Sequence, residues 1–181
     1  MVKVVNIVAS GDLGREYDLG ALSEDLDMPH IQYEPETFPG LQVRSQLDGG
    51  VMSIFSSGKY TVTGVKSEPE LESLYNNVTN SIKKLDSDGV NSDLPEIRNL
   101  VCKGRLKREL NLPPLSVALG KDHTEYEPEQ SGFIYYRPEE VDCLITIPSN
   151  GQVSITGIEK KRDAELAFSQ LKTKIESLFS E

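Results

Sequence analysis

The sequence predicts an α+β fold in which two pseudo-symmetric repeats build one antiparallel sheet, with a long helix from each repeat on one of its faces. The first observation is an internal repeat: shifted forward by 93 positions without a gap, residues 1–88 fall on their own copy at 94–181, so that Asn6 meets Asn99 and Tyr33 meets Tyr126. The second is that each copy shows strand and helix periods in the order strand, helix, four strands, helix. Two copies of this length are too few for a repeat array, which favours a duplicated half-domain.

The first predicted strand covers residues 4–10, where two kinds of side chain alternate. This period of two is typical of a strand with two different faces. The expected core face is Val5, Ile7 and Ala9, and the mixed face is Asn6, Val8 and Ser10. A short helix should follow, because Asp18 is a suitable N-cap for a segment that carries Leu19, Leu22 and Leu26 at helical spacing.

Four more strands and a long helix complete the first half. Strand-like runs lie near residues 30–34, 41–47, 51–56 and 59–65, separated by glycine-containing turns that predict antiparallel hairpins. The long helix should begin after Ser67, because Ser67 and Glu70 have the spacing of a capping box. Its apolar stripe is Leu71, Leu74, Tyr75, Val78, Ile82 and Leu85. The polar segment 86–93 is expected to connect the two halves.

The second half repeats this plan. Its closing helix has the apolar stripe Ala164, Ala167, Phe168, Leu171, Ile175 and Leu178. Two such helices can cover one face of an antiparallel sheet and leave the other face open to solvent or to a ligand. The alternation along the strands predicts an open face of small, mostly uncharged side chains with basic residues near its edges. Its members are Asn6, Val8, Ser10, Lys59, Thr61 and Thr63 in the first half, and Asn99, Val101, Lys103, Gln152, Ser154 and Thr156 in the second.

Such a face suits the minor groove of duplex DNA. The floor of that groove offers acceptors to an asparagine amide, and its sugars pack against small apolar groups. The pseudo-two-fold symmetry of the chain fits the same partner, since the two backbones of a duplex are related by local two-folds. The alternative is that Asn6 and Asn99 are ordinary polar residues of an exposed sheet, and the alternation alone leaves both interpretations open.

Composition limits the other classes of function. The net charge is −10, so affinity for DNA would depend on cations placed locally on the binding face. No apolar run approaches the roughly 18 residues of a membrane span, and the chain opens into a strand-like segment rather than a signal peptide, so we expect a cytoplasmic, nucleoid-associated protein. Cys102 and Cys143 lack the paired spacing of a disulfide framework or a zinc site. Neither a metal nor another cofactor is expected.

Several segments resemble the TATA-box-binding protein family of archaea and eukaryotes. They are residues 6–10 (NIVAS), 33–41 (YEPETFPGL), 54–59 (IFSSGK) and 63–67 (TGVKS). The resemblance covers essentially the whole chain, including the length and ungapped register of the repeat. It implies a saddle: one curved antiparallel sheet of ten strands whose underside clamps DNA, with four helices on the convex face. The family is itself a standard example of minor-groove binding by inserted apolar side chains.

The resemblance also assigns roles to individual residues. Asn6 and Asn99 match the central asparagines that donate hydrogen bonds to base edges. Phe38 and Phe55 match the two aromatic side chains of the first repeat that wedge between base pairs. The floor contacts are matched by Val8, Val101, Thr63 and Thr156, with Ser10, Thr61 and Lys103 beside them on the same face. The phosphate contacts are matched by Arg44, Lys59, Lys66 and Arg137.

The second repeat departs from the family pattern where the DNA contacts are concentrated. Ser131 and Pro148 stand where its two aromatic wedges are expected, and Phe133 lies nearby but out of register. Gln152 and Glu159 stand at the positions that correspond to Lys59 and Lys66. We therefore expect the first repeat to engage DNA in the family manner and the second to bind shallowly, with little intercalation, weaker binding and a flatter salt dependence.

The resemblance implies protein partners as well. In the family the B-type initiation factor docks on the second end loop and brings in RNA polymerase indirectly; the matching residues are Glu127, Glu129 and Gln130. Their simpler interpretation is a set of solvated loop residues. A chain that keeps this surface while losing DNA contacts would act as a regulatory interaction protein. An enzyme is the least favoured class, because no Ser/His/Asp set, metal-ligand spacing or phosphate-binding glycine loop is visible.

Overall fold

A computed structural model describes residues 1–86, 89–91 and 93–178 of the protein. The order of elements confirms the predicted plan of strand, helix, four strands and helix in each half. The first half contains β1 (Lys3–Asp12), α1 (Leu19–Asp25), β2 (His30–Gln32), β3 (Leu41–Arg44), β4 (Val51–Ile54), β5 (Lys59–Val65) and α2 (Glu68–Leu85). The second contains β6 (Glu96–Arg105), α3 (Leu112–Leu119), β7 (Thr124–Glu125), β8 (Phe133–Tyr136), β9 (Leu144–Pro148), β10 (Gln152–Ile158) and α4 (Lys161–Leu178).

The chain forms two compact units. The N-terminal unit is Asn6–Arg98, and the C-terminal unit is Met1–Val5 together with the chain from Asn99 onward. Antiparallel strands follow the order β2-β3-β4-β5-β1 in the former and β6-β10-β9-β8-β7 in the latter. These units are defined by contacts in space, and the repeat boundaries 1–88 and 94–181 stay a prediction.

The core of the N-terminal unit lies between its sheet and α2, which contacts β4 and β5. Alternation along β5 buries Tyr60 and Val62 and leaves Lys59 and Thr61 exposed, as predicted. The Ser67 side chain caps α2 by accepting from the backbone N–H of Glu70 at 3.3 Å. The predicted stripe of α2 is buried up to its last member.

Leu85 was wrongly placed in that buried stripe, because it is 46% exposed. It is the last residue of α2, where the helix ends and offers no further turn to hold the side chain against the sheet. Leu178 repeats the error at the end of α4, with 43% exposure. Extending the helical period to the last residue of each helix therefore predicts burial for a side chain that the sheet does not cover.

The core of the C-terminal unit is built in the same way, with α4 against β10 and α3 against β7 and β8. Cys102 and Cys143 are free and buried. Burial raises the pKa of both thiols, that of Cys143 to about 11. Both cysteines therefore stay protonated near neutral pH and act as small apolar side chains.

The predicted connector is partly described. Ser87, Asp88 and Ser92 lie outside the described residues, and the rest of the segment is attached to the N-terminal unit. Asn91 donates its backbone N–H to the Leu13 carbonyl at 3.0 Å and accepts from the Tyr75 hydroxyl at 2.9 Å. Among the described helices, none has the length and apolar character that crossing a bilayer requires.

Candidate nucleic-acid interface

Asn6 lies on the face of its sheet opposite the helix, and its side-chain amide is held by the neighbouring strand. Its Oδ1 accepts a hydrogen bond from the backbone N–H of Gly64 at 2.8 Å. Its Nδ2 donates to the Thr63 hydroxyl at 3.4 Å. Gly64 has a φ of +83°, in the left-handed region that glycine adopts without strain. The backbone thus fixes which end of the amide accepts and leaves a second N–H of Nδ2 free to donate outward.

Asn99 repeats this arrangement in the C-terminal unit. Its Oδ1 accepts from the backbone N–H of Gly157 at 2.9 Å, and its Nδ2 donates to the Thr156 hydroxyl at 3.2 Å. Gly157 has a φ of +84°. In both units the bond falls where the register between the paired strands shifts, which turns a backbone N–H towards the asparagine. Each half therefore presents one oriented amide donor.

The other predicted floor residues lie beside these asparagines within each sheet. Val8, Ser10 and Thr63 are half-buried and Thr61 is exposed in the N-terminal unit. Val101 and Thr156 are half-buried and Lys103 is exposed in the C-terminal unit.

Arg98 adds a contact to this floor that sequence reasoning missed. Its Nε donates to the Ser10 hydroxyl at 2.9 Å, and its guanidinium is paired with Glu96 at 2.6 Å. Val5 stands at the matching position of the first repeat, so a comparison of the two repeats could not have indicated Arg98.

The two predicted wedge residues of the first repeat, Phe38 and Phe55, lie together at the end of the β3–β4 pair. Their ring centroids are 5.9 Å apart in an edge-to-face arrangement with an interplanar angle of 60°. Phe38 is 37% exposed and Phe55 is half-buried. A Cβ on Gly40 would lie 2.7 Å from Phe38 Cε1 and 3.1 Å from Phe55 Cε1, so this glycine makes room for both rings.

The corresponding end of the second repeat has a different arrangement. Ser131 Oγ lies 3.2 Å from the Tyr135 hydroxyl, and Pro148 pairs across the strands with Phe133. Phe133 occupies the position of Gly40 in the repeat and is 43% exposed. Ile134 is fully buried, so it cannot stand in for a missing wedge. Tyr135, which sequence reasoning passed over, lies on the same strand face as Phe133.

The predicted phosphate contacts lie at the ends of strands. Lys59 begins β5 and Lys66 follows it, and both side chains are exposed. Arg137 follows β8 and is exposed as well. Arg44 is half-buried and donates from Nη1 to the Gly49 carbonyl at 3.0 Å, so its guanidinium is already oriented by the backbone. In the described ranges none of these four cations forms an ion pair.

The predicted partner-binding residues form a separate group on the turn between β7 and β8. Glu127, Glu129 and Gln130 are all exposed. The Glu127 carbonyl accepts from the backbone N–H groups of Gln130 and Ser131, at 2.9 and 2.8 Å, which keeps the turn tight. Throughout the residues that the structure describes, His, Cys, Asp and Glu side chains form no group of three that could hold a metal ion.

Comparison with known proteins finds one family over nearly the whole chain. The family model described as "Transcription factor TFIID (or TATA-binding protein, TBP)" matches residues 1–85 and 94–178. TATA-box-binding protein C of Halobacterium salinarum is 36% identical, over 98% of this chain and 98% of its own length. The TATA-box-binding protein of Methanococcus aeolicus is 34% identical, over 99% of this chain and 97% of its own.

A solved structure agrees with these sequence matches. Methanococcus jannaschii TBP superposes with a TM-score of 0.83 at 32% identity, covering 97% of this chain and 98% of that one. The match confirms the predicted fold class, with ten antiparallel strands and four helices divided between two repeats.

Proposed function

The chain belongs to the TATA-box-binding protein family, and we propose that it is a general transcription initiation factor that binds the minor groove of TATA-like promoter DNA. In this role it recruits the B-type initiation factor and, through it, RNA polymerase, at the nucleoid of the cell. The observation that carries the proposal is the pair of backbone-held amides of Asn6 and Asn99. Each amide is the donor that the acceptors of an A·T minor groove require.

The chemistry around the asparagines supports the same partner. The floor beside Asn6 is formed by Val8, Thr61 and Thr63, which carry no charge and can pack against sugars. Lys59 begins β5 and Lys66 follows its last residue. A duplex held over that floor would bring its phosphates near both lysines. A chain of net charge −10 can still bind DNA when its cations lie locally beside the floor that faces the duplex.

An ordered-addition experiment tests this function. We expect a labelled TATA duplex to be shifted by the protein in a gel, and the complex to be shifted again and stabilised when the B-type factor is added. Binding should weaken as salt rises, because phosphate contacts release counterions. A protein that binds neither a TATA duplex alone nor one supplied with the B-type factor would contradict the proposal.

A second candidate function is a family paralogue that binds DNA weakly and acts mainly as a regulatory interaction protein. It is favoured by the second repeat, where Ser131 and Pro148 replace the expected wedges while Glu127, Glu129 and Gln130 remain exposed. In the same experiment such a protein would bind the B-type factor in the absence of DNA and would reduce the amount of factor that reaches a promoter.

The asparagine donor can be tested by replacing Asn6 with Asp. An aspartate can still accept from Gly64 N–H, so the fold should be retained, but it presents a charged acceptor to the acceptors of the groove floor. We expect affinity for a TATA duplex to fall by about 10- to 100-fold, the size of a lost charged or base-edge hydrogen bond. Asn80→Asp adds the same charge on the exposed side of α2 and should bind like the wild type. Equal losses in both variants would mean that net charge, rather than the Asn6 donor, controls binding.

A further inference from the structure

The second repeat carries basic residues on β6 and just beyond its end that have no counterpart in the first. Lys103, Arg105 and Lys107 follow one another at alternate positions, and all three side chains are exposed. Their repeat copies are Ser10, Asp12 and Gly14, none of which is a cation. We call these three residues the β6 cationic strip.

The backbone that carries the strip is the same in both repeats. Leu106 donates its N–H to the Gly151 carbonyl at 2.9 Å and Leu110 to the Ser149 carbonyl at 2.8 Å. In the first repeat the equivalent bonds join Leu13 to Gly58 and Tyr17 to Ser56, both at 2.9 Å. Leu106 and Leu110 are also buried. Lys107 therefore projects from an anchored turn that directly follows β6, and the two repeats differ here in side-chain charge rather than in backbone course.

Lys107 occupies a backbone conformation that its repeat copy fills with glycine. Its φ is +58°, and no other described residue except glycine has a positive φ. Gly14 has a φ of +86° at the matching position. A lysine in the left-handed region is less stable than glycine there, because its Cβ crowds the backbone. Strained backbone conformations cluster at functional sites, and this makes Lys107 a candidate for such a site.

The strip faces Gln152 on the neighbouring strand β10, where the first repeat has the cation Lys59. Arg105 pairs with Gln152, and Lys103 pairs with Ser154; Gln152 is the repeat copy of Lys59. In the first repeat the same pair is Asp12 and Lys59, so an acid faces the cation. The second repeat thus places its cation on the opposite strand and leaves a neutral residue facing it.

Acidic neighbours do not neutralise the strip. In the part of the chain that the structure describes, Lys103, Arg105 and Lys107 form no ion pair. Glu96, at the start of β6, is paired with Arg98 at 2.6 Å. Glu109 follows the strip and is exposed.

We propose that Lys103, Arg105 and Lys107 contact the phosphate backbone of duplex DNA and replace the phosphate contacts that Gln152 and Glu159 cannot make. The inference rests on the proposed DNA-binding function and deepens it. Phosphate contacts position a protein and raise its affinity without reading sequence. The second repeat then holds DNA by charge along β6.

The test uses the full chain with Lys103→Ser, Arg105→Gln and Lys107→Gly, singly and combined, on a TATA duplex and on a random duplex. We expect each variant to bind both duplexes more weakly. The plot of log Kobs against log salt has a negative slope, and its magnitude should decrease by about 0.9 for each phosphate that is no longer neutralised. Lys107→Gly should at the same time raise the urea midpoint of unfolding, because it removes the left-handed lysine. Lys172→Gln, a cation on α4 paired with Glu176, is the charge-matched control and should keep the wild-type slope.

The outcomes separate this inference from the proposed function. If the wild type binds a TATA duplex and the triple variant keeps its slope, the strip does not contact phosphate and only the inference fails. If the slope is unchanged while binding of the B-type factor is lost, the strip is a protein-docking surface, which also overturns it. If the wild type does not bind DNA under any salt, the proposed function fails and the inference falls with it.

Discussion

A TATA duplex labelled at its two ends is expected to bend less with this protein than two intercalation kinks would produce. Each kink requires an apolar side chain that unstacks a base step. The free-energy cost of unstacking is offset by the extra contacts that the bent duplex makes with the protein. Phe38 and Phe55 form a partly exposed aromatic pair whose rings contact each other in the first repeat. Ser131 and Pro148 leave the second repeat without the equivalent pair.

Three alanine variants measured by fluorescence energy transfer test this asymmetry. Phe38→Ala and Phe55→Ala should each remove most of the bend and cost about 1–3 kcal/mol of binding, the size of base–aromatic stacking. Phe133→Ala should leave the bend nearly unchanged, because Phe133 occupies the position of Gly40 and lacks an aromatic partner across the strands. A loss of bending with Phe133→Ala as large as that with Phe55→Ala would show that the displaced ring acts as a wedge and would contradict the asymmetric picture.

Gly58→Ala is expected to destabilise the fold strongly, although it adds only one methyl group. Gly58 has a φ of +84°, and an added Cβ would overlap the Arg15 carbonyl oxygen. The glycine also accepts from Leu13 N–H at 2.9 Å and donates to the Phe55 carbonyl at 2.9 Å, so the turn cannot move away without breaking hydrogen bonds. Left-handed strain and backbone overlap together should lower the free energy of unfolding by more than about 3 kcal/mol.

Two other glycines provide matched comparisons in urea unfolding. Gly151, the repeat copy of Gly58, has a φ of +71°, and its added Cβ would lie 2.5 Å from the Arg108 carbonyl oxygen. Gly151→Ala should therefore also lower the free energy of unfolding. A Cβ on Gly132 would meet nothing within 4 Å, so Gly132→Ala should stay within about 0.5 kcal/mol of the wild type. A Gly58→Ala protein with the midpoint of Gly132→Ala would disprove the steric explanation.

The comparison of the two repeats shows how far sequence reasoning reached into the candidate site. Alternation along β5 correctly predicted that Tyr60 and Val62 are buried and that Lys59 and Thr61 are not, because that pattern depends only on neighbours in the chain. Repeat copies correctly indicated that Asn6 and Asn99 share one environment. The same comparison passed over Arg105 and Lys107, because their copies in the first repeat have different chemistry.

The sequence by itself determined the duplication, the order of strands and helices, the alternating burial along β5 and the caps of α1 and α2, with the two cap contacts confirmed at Asp18 and Ser67. These features follow from short-range sterics and from periods that a linear pattern records directly. Only the tertiary structure decided which end of the Asn6 amide faces outward, since Gly64 lies on another strand. It alone also showed that Arg105 faces Gln152 and that Leu85 and Leu178 lie beyond the cover of the core. These outcomes depend on residues that folding brings together from distant parts of the chain, so no local pattern encodes them.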